Sequence, residues 1–149
     1  MLQVGAPVPD VVAEDDAGSP VRLRDLGKKA LVVYFYPRAD TPGCTNETIQ
    51  FRDLNGSFGK KGVTVVGVSR DTVAAQAKFK SKYDVPFKLL ADVESVLCDA
   101  FGVIVEKNMY GKKSLGIQRS TFLIRDGAVK KVWPKVKVEG HAAEVLSSL

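Results

Sequence analysis

The stretch VVYFYPRADTPGCTNETIQFRDL, residues 32–54, decides the fold of this chain and carries its most reactive side chain. Together with Leu31, its first part is an apolar run of β-branched and aromatic residues that ends at Tyr36. A run without polar alternation is typical of a strand that is covered on both faces. The sequence therefore predicts a buried central strand at residues 31–36.

A turn and then a helix follow this strand. Pro37 and Pro42 end the apolar run, and Pro42-Gly43 marks the turn. No further Gly or Pro occurs before Gly56, which predicts a helix with Cys44 in its first turn. Free N–H groups and the helix dipole at this position favour a thiolate, so Cys44 is interpreted as a nucleophile rather than as a small buried hydrophobe.

Length and composition indicate one globular domain, residues 1–149, with a core that needs no disulfide framework. No run approaches the roughly 18 apolar residues of a membrane span, and the first residues lack the pattern of a signal peptide. We therefore expect a cytoplasmic protein without a membrane partner. The two cysteines are then inert or catalytic rather than structural.

The net charge of +5 includes a basic segment near the end of the chain, with lysines at positions 130, 131, 135 and 137. A basic stripe can bind nucleic acid. Here the lysines alternate with Val132, Val136 and Val138, which indicates the solvent-exposed face of an edge strand. Because no recognition motif accompanies the charge, we do not expect a nucleic-acid partner.

The other elements are predicted from periodicity, turn residues and caps. They are an N-terminal hairpin with strands at 8–14 and 21–23, a loop or short turn at 25–29, strands at 64–69 and 88–91, helices at 73–83 and 93–101, a loop or irregular hairpin at 103–116, strands at 120–124 and 129–133, and a last helix at 141–149. This order predicts an α/β protein with a thioredoxin-like fold, in which a mixed central sheet is flanked by helices and preceded by a β-hairpin extension.

Ionisation of a cysteine alone gives only a limited gain in rate, so neighbouring residues must also position and stabilise the reacting groups. Because free cysteine is about 3% thiolate at neutral pH, complete ionisation raises a rate by at most roughly 30-fold. Thr41 can hydrogen bond beside the sulfur, and Pro37, which has no N–H, can shield it from water. Arg119 is either the cation that stabilises the Cys44 thiolate and a leaving oxygen, or a surface arginine at a strand end. Glu47 either orients that guanidinium through a bidentate pair or complements the helix dipole.

The pattern Pro37-x-x-x-Thr41-x-x-Cys44 with a distant Arg119 resembles the active site of peroxiredoxins. The segments YFYPRADTPGCTNETIQFRDL, GVSRDT, EKNMYGKKSLGIQRSTFLI and KVKVEGHAAEVL resemble the peroxiredoxin Q, or bacterioferritin comigratory protein, subfamily, and the similarity spans almost the whole chain.

This resemblance implies a thiol-dependent peroxidase that reduces hydrogen peroxide and organic hydroperoxides. Cys44 attacks the terminal peroxide oxygen and becomes a sulfenic acid, which a thiol can reverse. Thr41 and Arg119 hold the two peroxide oxygens, and Pro37 shields the sulfur. The implied reductant is thioredoxin, glutaredoxin or a small thiol, and no metal or other cofactor is implied. We expect a monomer or a weak dimer.

The chain departs from the subfamily in its second cysteine. Many members carry one five positions after the first, where this chain has Ile49, and others place it in the next helix, which here has none. Only Cys98 remains, and its apolar neighbours indicate a core residue. The sequence favours reduction by an external thiol and leaves open a Cys44–Cys98 disulfide within one chain or between two.

Other activities fit the sequence less well. No second cysteine lies three residues after Cys44, as a dithiol oxidoreductase requires. The single histidine, His141, is expected at an exposed helix start and not as the partner of a protease cysteine. Two cysteines and one histidine do not suggest a zinc site. The alternative from another class is a non-enzymatic holdase or interaction protein on the same scaffold.

Overall fold

The structure of the chain, a computed structural model, describes residues 1–26 and 29–149. Its strands are β1 (Val12–Asp15), β2 (Pro20–Arg22), β3 (Ala30–Phe35), β4 (Val63–Ser69), β5 (Leu89–Ala91), β6 (Ile104–Met109), β7 (Lys112–Ile117), β8 (Ser120–Arg125) and β9 (Ala128–Trp133). Its helices are α1 (Pro42–Lys60), α2 (Val73–Lys82), α3 (Val96–Phe101) and α4 (His141–Ser147), with a short 3-10 helix at Leu23–Asp25.

Over these residues the main sheet has the strand order β2-β1-β5-β4-β3-β8-β9. The strands β3, β4 and β5 are parallel, and their other neighbours are antiparallel. The hairpin β1/β2 lies at one edge of the sheet, and β6 and β7 form a separate two-stranded hairpin. The predicted mixed sheet with an N-terminal hairpin is confirmed.

The central strand β3 separates two hydrophobic clusters, because alternate side chains of a strand point to opposite faces. Val32 and Tyr34 belong to the cluster covered by α1, α2 and α4. Leu31 and Val33 belong to the second cluster, which packs against α3. The sheet is therefore covered on both faces, as the unbroken apolar run of β3 predicts.

The candidate functional segments meet at one end of the sheet, where β3 ends and β8 begins. Phe35, the last residue of β3, pairs with Val68 of the parallel strand β4 and with Ser120, the first residue of the antiparallel strand β8. The chain leaving β3 and the chain entering β8 therefore meet at the same end of the sheet. Ligand sites of open α/β sheets lie at the carboxyl ends of the parallel strands, which is this end.

The clearest difference from the sequence prediction is at residues 103–116. Instead of a loop or irregular hairpin, β6 and β7 pair regularly from Ile104–Ile117 to Met109–Lys112. Positive φ angles at Tyr110 (53°) and Gly111 (78°) close the hairpin as a tight two-residue turn.

Several other boundaries also differ. The hairpin strand predicted at 8–14 begins only at Val12, the helix predicted at 93–101 begins at Val96, and the last helix ends at Ser147. The strand β9 lies at a sheet edge with its lysines 130 and 131 exposed, whereas lysines 135 and 137 follow its end. In the loop predicted at 25–29, residues 27 and 28 lie outside the described residues.

Candidate active site

Cys44 lies in the first turn of α1, as predicted. Thr41 is the extended N-cap residue, with φ −93° and ψ 156°, and Pro42 occupies the first helical position. Proline suits this position because its fixed φ is helical and its missing N–H would have no partner there. The Cys44 side chain is buried, with 1% of its surface exposed.

Arg119 reaches Cys44 from the opposite side of the site. Its Nη2 group donates to Cys44 Sγ at 3.3 Å, and its Nη1 group donates to Glu47 Oε1 at 2.7 Å. Only 16% of the Arg119 side chain is exposed, so the alternative of a surface arginine is wrong. Instead of forming a bidentate pair with Glu47, the guanidinium divides its two ends between the carboxylate and the sulfur.

Glu47 is a buried carboxyl group, with 1% of its side chain exposed. Burial raises the pKa of Glu47 to about 7, although the charge and hydrogen bond of Arg119 lower it. Burial opposes the charge of Arg119, but Glu47 and Cys44 outweigh it and raise the pKa of the guanidinium. Arg119 is therefore a fixed cation, held in place by a buried carboxyl group.

Gly43 makes room for the guanidinium, a role that the sequence analysis missed. A Cβ atom at this position would lie 3.2 Å from Arg119 Nη2, closer than ordinary van der Waals contact. The sequence identified Gly43 only as part of a turn. Nothing in the local pattern shows that a side chain 76 positions away packs against it.

Thr41 and Pro37 lie in the loop between β3 and α1. The Thr41 hydroxyl donates to the carbonyl of Arg38 at 2.7 Å and makes no capping hydrogen bond to the helix. Because its hydrogen is committed to Arg38, the Thr41 oxygen is left with lone pairs that can accept a hydrogen bond from a ligand. Pro37 is half-buried directly after the buried Tyr36.

The elements that follow β4 hold this loop in place, which the sequence analysis also missed. The backbone N–H of Ala39 donates to Asp71 Oδ2 at 2.8 Å, and the Ser69 hydroxyl donates to the same oxygen at 2.6 Å. Asp40, at a φ of 59°, accepts from Lys82 Nζ at 2.9 Å and from the Tyr83 hydroxyl at 2.8 Å. The loop is thus fixed at both ends of α2 before any ligand arrives.

The second cysteine lies on the other face of the sheet. Cys44 belongs to the cluster that contains Phe51, whereas Cys98 of α3 belongs to the cluster that contains Phe101. Both thiols are free, and Cys98 is fully buried. Burial, with Asp92 as a hydrogen-bond partner and negative charge, raises the pKa of Cys98 well above its usual range. Cys98 is therefore an un-ionised core thiol, separated from Cys44 by the sheet.

The expectation of an exposed His141 is wrong. His141 is buried at the start of α4, where its ring packs edge-on against Phe51 and Trp133. Its Nε2 atom lies 2.8 Å from the Thr121 hydroxyl, and burial lowers the pKa of His141 to about 4. It is a neutral core residue that joins α4 to β8.

Two further findings concern the described residues alone. Within residues 1–26 and 29–149, no group of three or more His, Cys, Asp or Glu side chains is arranged to hold a metal ion. In the same part of the chain, no helix is both long and apolar enough to cross a membrane.

Comparison with known proteins gives consistent results. Residues 4–132 match the AhpC/TSA family. The chain is 48% identical to the putative peroxiredoxin Bcp of Coxiella burnetii, over 99% of both proteins. It is 44% identical to peroxiredoxin Bcp of Bacillus subtilis, over 99% of this chain and 95% of that protein.

Solved structures agree with this result. The bacterioferritin comigratory protein of Xanthomonas campestris superposes with a TM-score of 0.91 at 43% identity, over 98% of this chain and 96% of that one. A mutant of Xylella fastidiosa PrxQ superposes with a TM-score of 0.94 at 37% identity, over 99% of this chain and 95% of that one.

Proposed function

The chain belongs to the AhpC/TSA family and is a thiol-dependent peroxidase, and we propose that Cys44 is the sulfur that its hydroperoxide substrate oxidises. These relatives give no support to the alternative of a non-enzymatic holdase. One observation carries the assignment to Cys44: a buried sulfur at a helix N-terminus accepts a hydrogen bond from the fixed cation Arg119.

The Cys44 thiolate attacks the terminal oxygen of a hydroperoxide, which breaks the O–O bond. The sulfur takes the terminal OH group and becomes a sulfenic acid, while the other oxygen leaves as hydroxide or alkoxide and takes up a proton from solvent to give water or an alcohol. Arg119 already donates to Sγ at 3.3 Å, so its guanidinium can follow the negative charge from the sulfur to the leaving oxygen. The Thr41 oxygen, whose hydrogen is held by Arg38, accepts the hydrogen bond of the peroxide hydroxyl.

Position matters more than ionisation in this scheme. Complete ionisation of a free cysteine gains at most roughly 30-fold, whereas a well-oriented reactant pair gains many orders of magnitude. The Asp71 and Asp40 contacts fix the loop that carries Thr41, and the Glu47 contact fixes Arg119. Pro37, in the same loop, limits access of water to the sulfur.

The sulfenic acid is reduced by an external thiol. A disulfide requires the two Cα atoms to come within about 7 Å, with their side chains directed at each other. Cys44 and Cys98 lie in clusters on opposite faces of the sheet, which argues against a bond within the folded chain. Thioredoxin, glutaredoxin or a small thiol would serve as reductant. Both cysteines are free thiols, which suits the reducing cytoplasm, where we place the protein.

Peroxide consumption with dithiothreitol tests this proposal, using Cys44→Ser against the matched variant Cys98→Ser. We expect Cys44→Ser to lose all turnover and Cys98→Ser to keep nearly all of it. Turnover by Cys44→Ser would contradict the assignment of the reactive sulfur. Loss of turnover in Cys98→Ser, with the fold intact by circular dichroism, would instead favour a resolving role for Cys98.

A further inference from the structure

The hairpin β6/β7 brings a second cation, Lys107, to the end of the sheet where Cys44 lies. Arg70, which follows β4, donates from Nη2 to the carbonyl of Leu115, in the middle of β7, at 3.2 Å. Two residues later β7 ends at Ile117, and Arg119 follows within two more residues. The strand β7 therefore ties the hairpin to the segments that surround the candidate active site.

The half-buried side chain of Lys107, on β6, lies along this hairpin. Its stem lies across Gly116: a Cβ atom there would be 3.2 Å from the Lys107 Cδ and 3.7 Å from its Nζ. Lys107 pairs with Ser114, yet its stem lies over Gly116, two residues nearer to Arg119, so the side chain runs along the hairpin toward the Arg119 end. Burial lowers the pKa of Lys107 and the charge of Arg119 lowers it further, while Cys44 acts in the opposite direction. Both active-site residues are thus electrostatic neighbours of the lysine.

No described residue forms an ion pair that balances the charge of Lys107. Among the described residues Lys107 forms no ion pair, whereas Lys113 of the same hairpin lies 3.6 Å from Glu106. A half-buried charge without a partner is costly, and such charges are normally paired. An anion that arrives from outside would provide the partner that the described residues do not.

We propose that Lys107 recognises the reducing thiol, binding an acidic group, a carboxylate or sulfonate, carried by a small thiol that attacks the Cys44 sulfenic acid. This proposal rests on the proposed function. The reductant is favoured over the peroxide for a chemical reason. The peroxide group itself is neutral and reacts at the sulfur, whereas the attacking thiol reacts as a thiolate, so the reductant brings a negative charge to the site in every turnover.

The chemistry takes place in two balanced steps. The thiolate sulfur bonds to the Cys44 sulfur, the S–O bond breaks, and the oxygen leaves as water after taking up a proton from solvent. The product is a mixed disulfide, in which the sulfenic sulfur has been reduced and the thiol sulfur oxidised. A second thiolate then attacks the thiol sulfur of this disulfide, which releases the Cys44 thiolate and a small-molecule disulfide.

The test compares three thiols of similar size and different charge: mercaptoethanesulfonate, mercaptoethanol and cysteamine. The chain is oxidised with one equivalent of hydrogen peroxide, each thiol is added at low ionic strength, and the decay of the sulfenic acid is followed by rapid quenching and mass spectrometry. Rates are expressed per thiolate, because the three thiols ionise differently. The ratio of the sulfonate rate to the neutral rate cancels any effect of a variant on Cys44 itself.

We expect wild type to prefer the sulfonate thiol, and Lys107→Gln to lower the sulfonate-to-neutral ratio by about 3- to 10-fold, as expected for a partly desolvated charge pair. Lys107→Glu should reverse the order, so that cysteamine becomes the fastest thiol. The matched variant Lys113→Gln, whose charge Glu106 neutralises, should keep the wild-type ratio. Added salt should reduce the wild-type preference.

Equal ratios in wild type and Lys107→Gln would overturn the proposal. So would a Lys107→Gln variant that is slower only in peroxide oxidation, since the lysine would then act on the other substrate. Failure of the proposed function would look different, because a sulfenic acid would then form in Cys44→Ser.

Discussion

Replacement of Arg119 by lysine tests whether the geometry of the guanidinium, and not only its charge, drives the reaction. In the structure one side chain serves two acceptors, Cys44 Sγ at 3.3 Å and Glu47 Oε1 at 2.7 Å. A lysine keeps the positive charge but has a single ammonium group in place of the planar fork. If the ammonium stays with the buried Glu47, the sulfur and the leaving oxygen lose their donor.

The expected size of the effect follows from that loss. Removing one preorganised donor from a developing negative charge costs roughly 100- to 1,000-fold in rate. The retained charge of lysine restores part of this, so we expect Arg119→Lys to be slower by about 10- to 1,000-fold, or about 1.4 to 4 kcal/mol in activation free energy.

The assay is the second-order rate of Cys44 oxidation by hydrogen peroxide, measured by stopped flow before any reductant is added. Arg52→Lys is the matched control, since Arg52 projects from α1, the helix that carries Cys44, and donates to the backbone carbonyl of Tyr83 at 2.9 Å. We expect the control to stay within about 2-fold of wild type, as for a surface substitution. An Arg119→Lys rate as close to wild type as that of the control would refute the reasoning, because charge alone would then suffice.

Three further substitutions test other parts of the account. Gly43→Ala should slow the oxidation of Cys44 by about 10-fold, because the added Cβ would lie 3.2 Å from Arg119 Nη2 and displace the guanidinium. Stopped flow measures this rate, and an unchanged value would show that the position of the guanidinium is not critical. Cys98→Ser should lower the free energy of unfolding by about 1 to 3 kcal/mol, because a polar hydroxyl replaces a sulfur inside an apolar cluster. Urea denaturation measures this change, and an undiminished stability would contradict the packing described for Cys98. Burial lowers the pKa of His141 to about 4 from 6.5, so the unfolded chain binds this proton more tightly and stability falls by about 3 kcal/mol as the pH drops between these values. His141→Gln should remove this part of the pH dependence of the free energy of unfolding. The raised pKa of Glu47 causes a pH dependence of opposite sign, but it is the same in both proteins and cancels when their free energies are subtracted. Identical pH profiles of wild type and His141→Gln would show that His141 is not buried as a neutral group.

The central strands of the fold could be predicted because each is a largely apolar run of consecutive residues, which indicates burial on both faces. β3, β4 and β8 are apolar and β-branched runs, and all three form the middle of the sheet. The regular pairing of β6 and β7 could not be predicted, because the hairpin stands outside the main sheet and its strands, of which β7 is mostly exposed, lack a hydrophobic period. Leu115, for example, is 66% exposed.

The start of α3 shows why helix boundaries are less predictable than helices. The sequence predicts a helix from residue 93, directly after Asp92, whereas α3 begins at Val96. The Asp92 carboxylate accepts from the backbone N–H groups of Leu97 and Cys98, five and six residues later. Ser95, at a φ of 60°, occupies the left-handed region between them. A cap that spans an irregular turn has no fixed spacing, so the sequence pattern gives a start three residues too early.

Some features of the candidate site could be predicted from local sequence, and others depend on tertiary contacts. The placement of Cys44 and its neighbour Glu47 depends on local helix geometry, which sequence spacing describes well. The approach of Arg119 depends on β8 running antiparallel to β3. The apolar run after Arg119 predicts the strand β8, but it does not show the direction in which that strand pairs. Gly43 and Asp71 act through contacts with segments that are distant in sequence, and the residues around them give no means of predicting those contacts.

The separation of the two cysteines also depends on tertiary structure. The alternation along β3 shows that the sheet has two covered faces, but it does not show which helix covers which face. Only the assembled fold places α1 and α3 on opposite sides, so that Cys44 and Cys98 fall in different clusters.

The central claim is that peroxide oxidises Cys44 and that no second cysteine of the same chain resolves it. The most direct measurement is the mass of the full chain after one equivalent of hydrogen peroxide without reductant, followed by peptide mapping. The account predicts the gain of one oxygen atom, located on the peptide that contains Cys44. The loss of two hydrogen atoms, with the peptides of Cys44 and Cys98 joined by a disulfide, would contradict it.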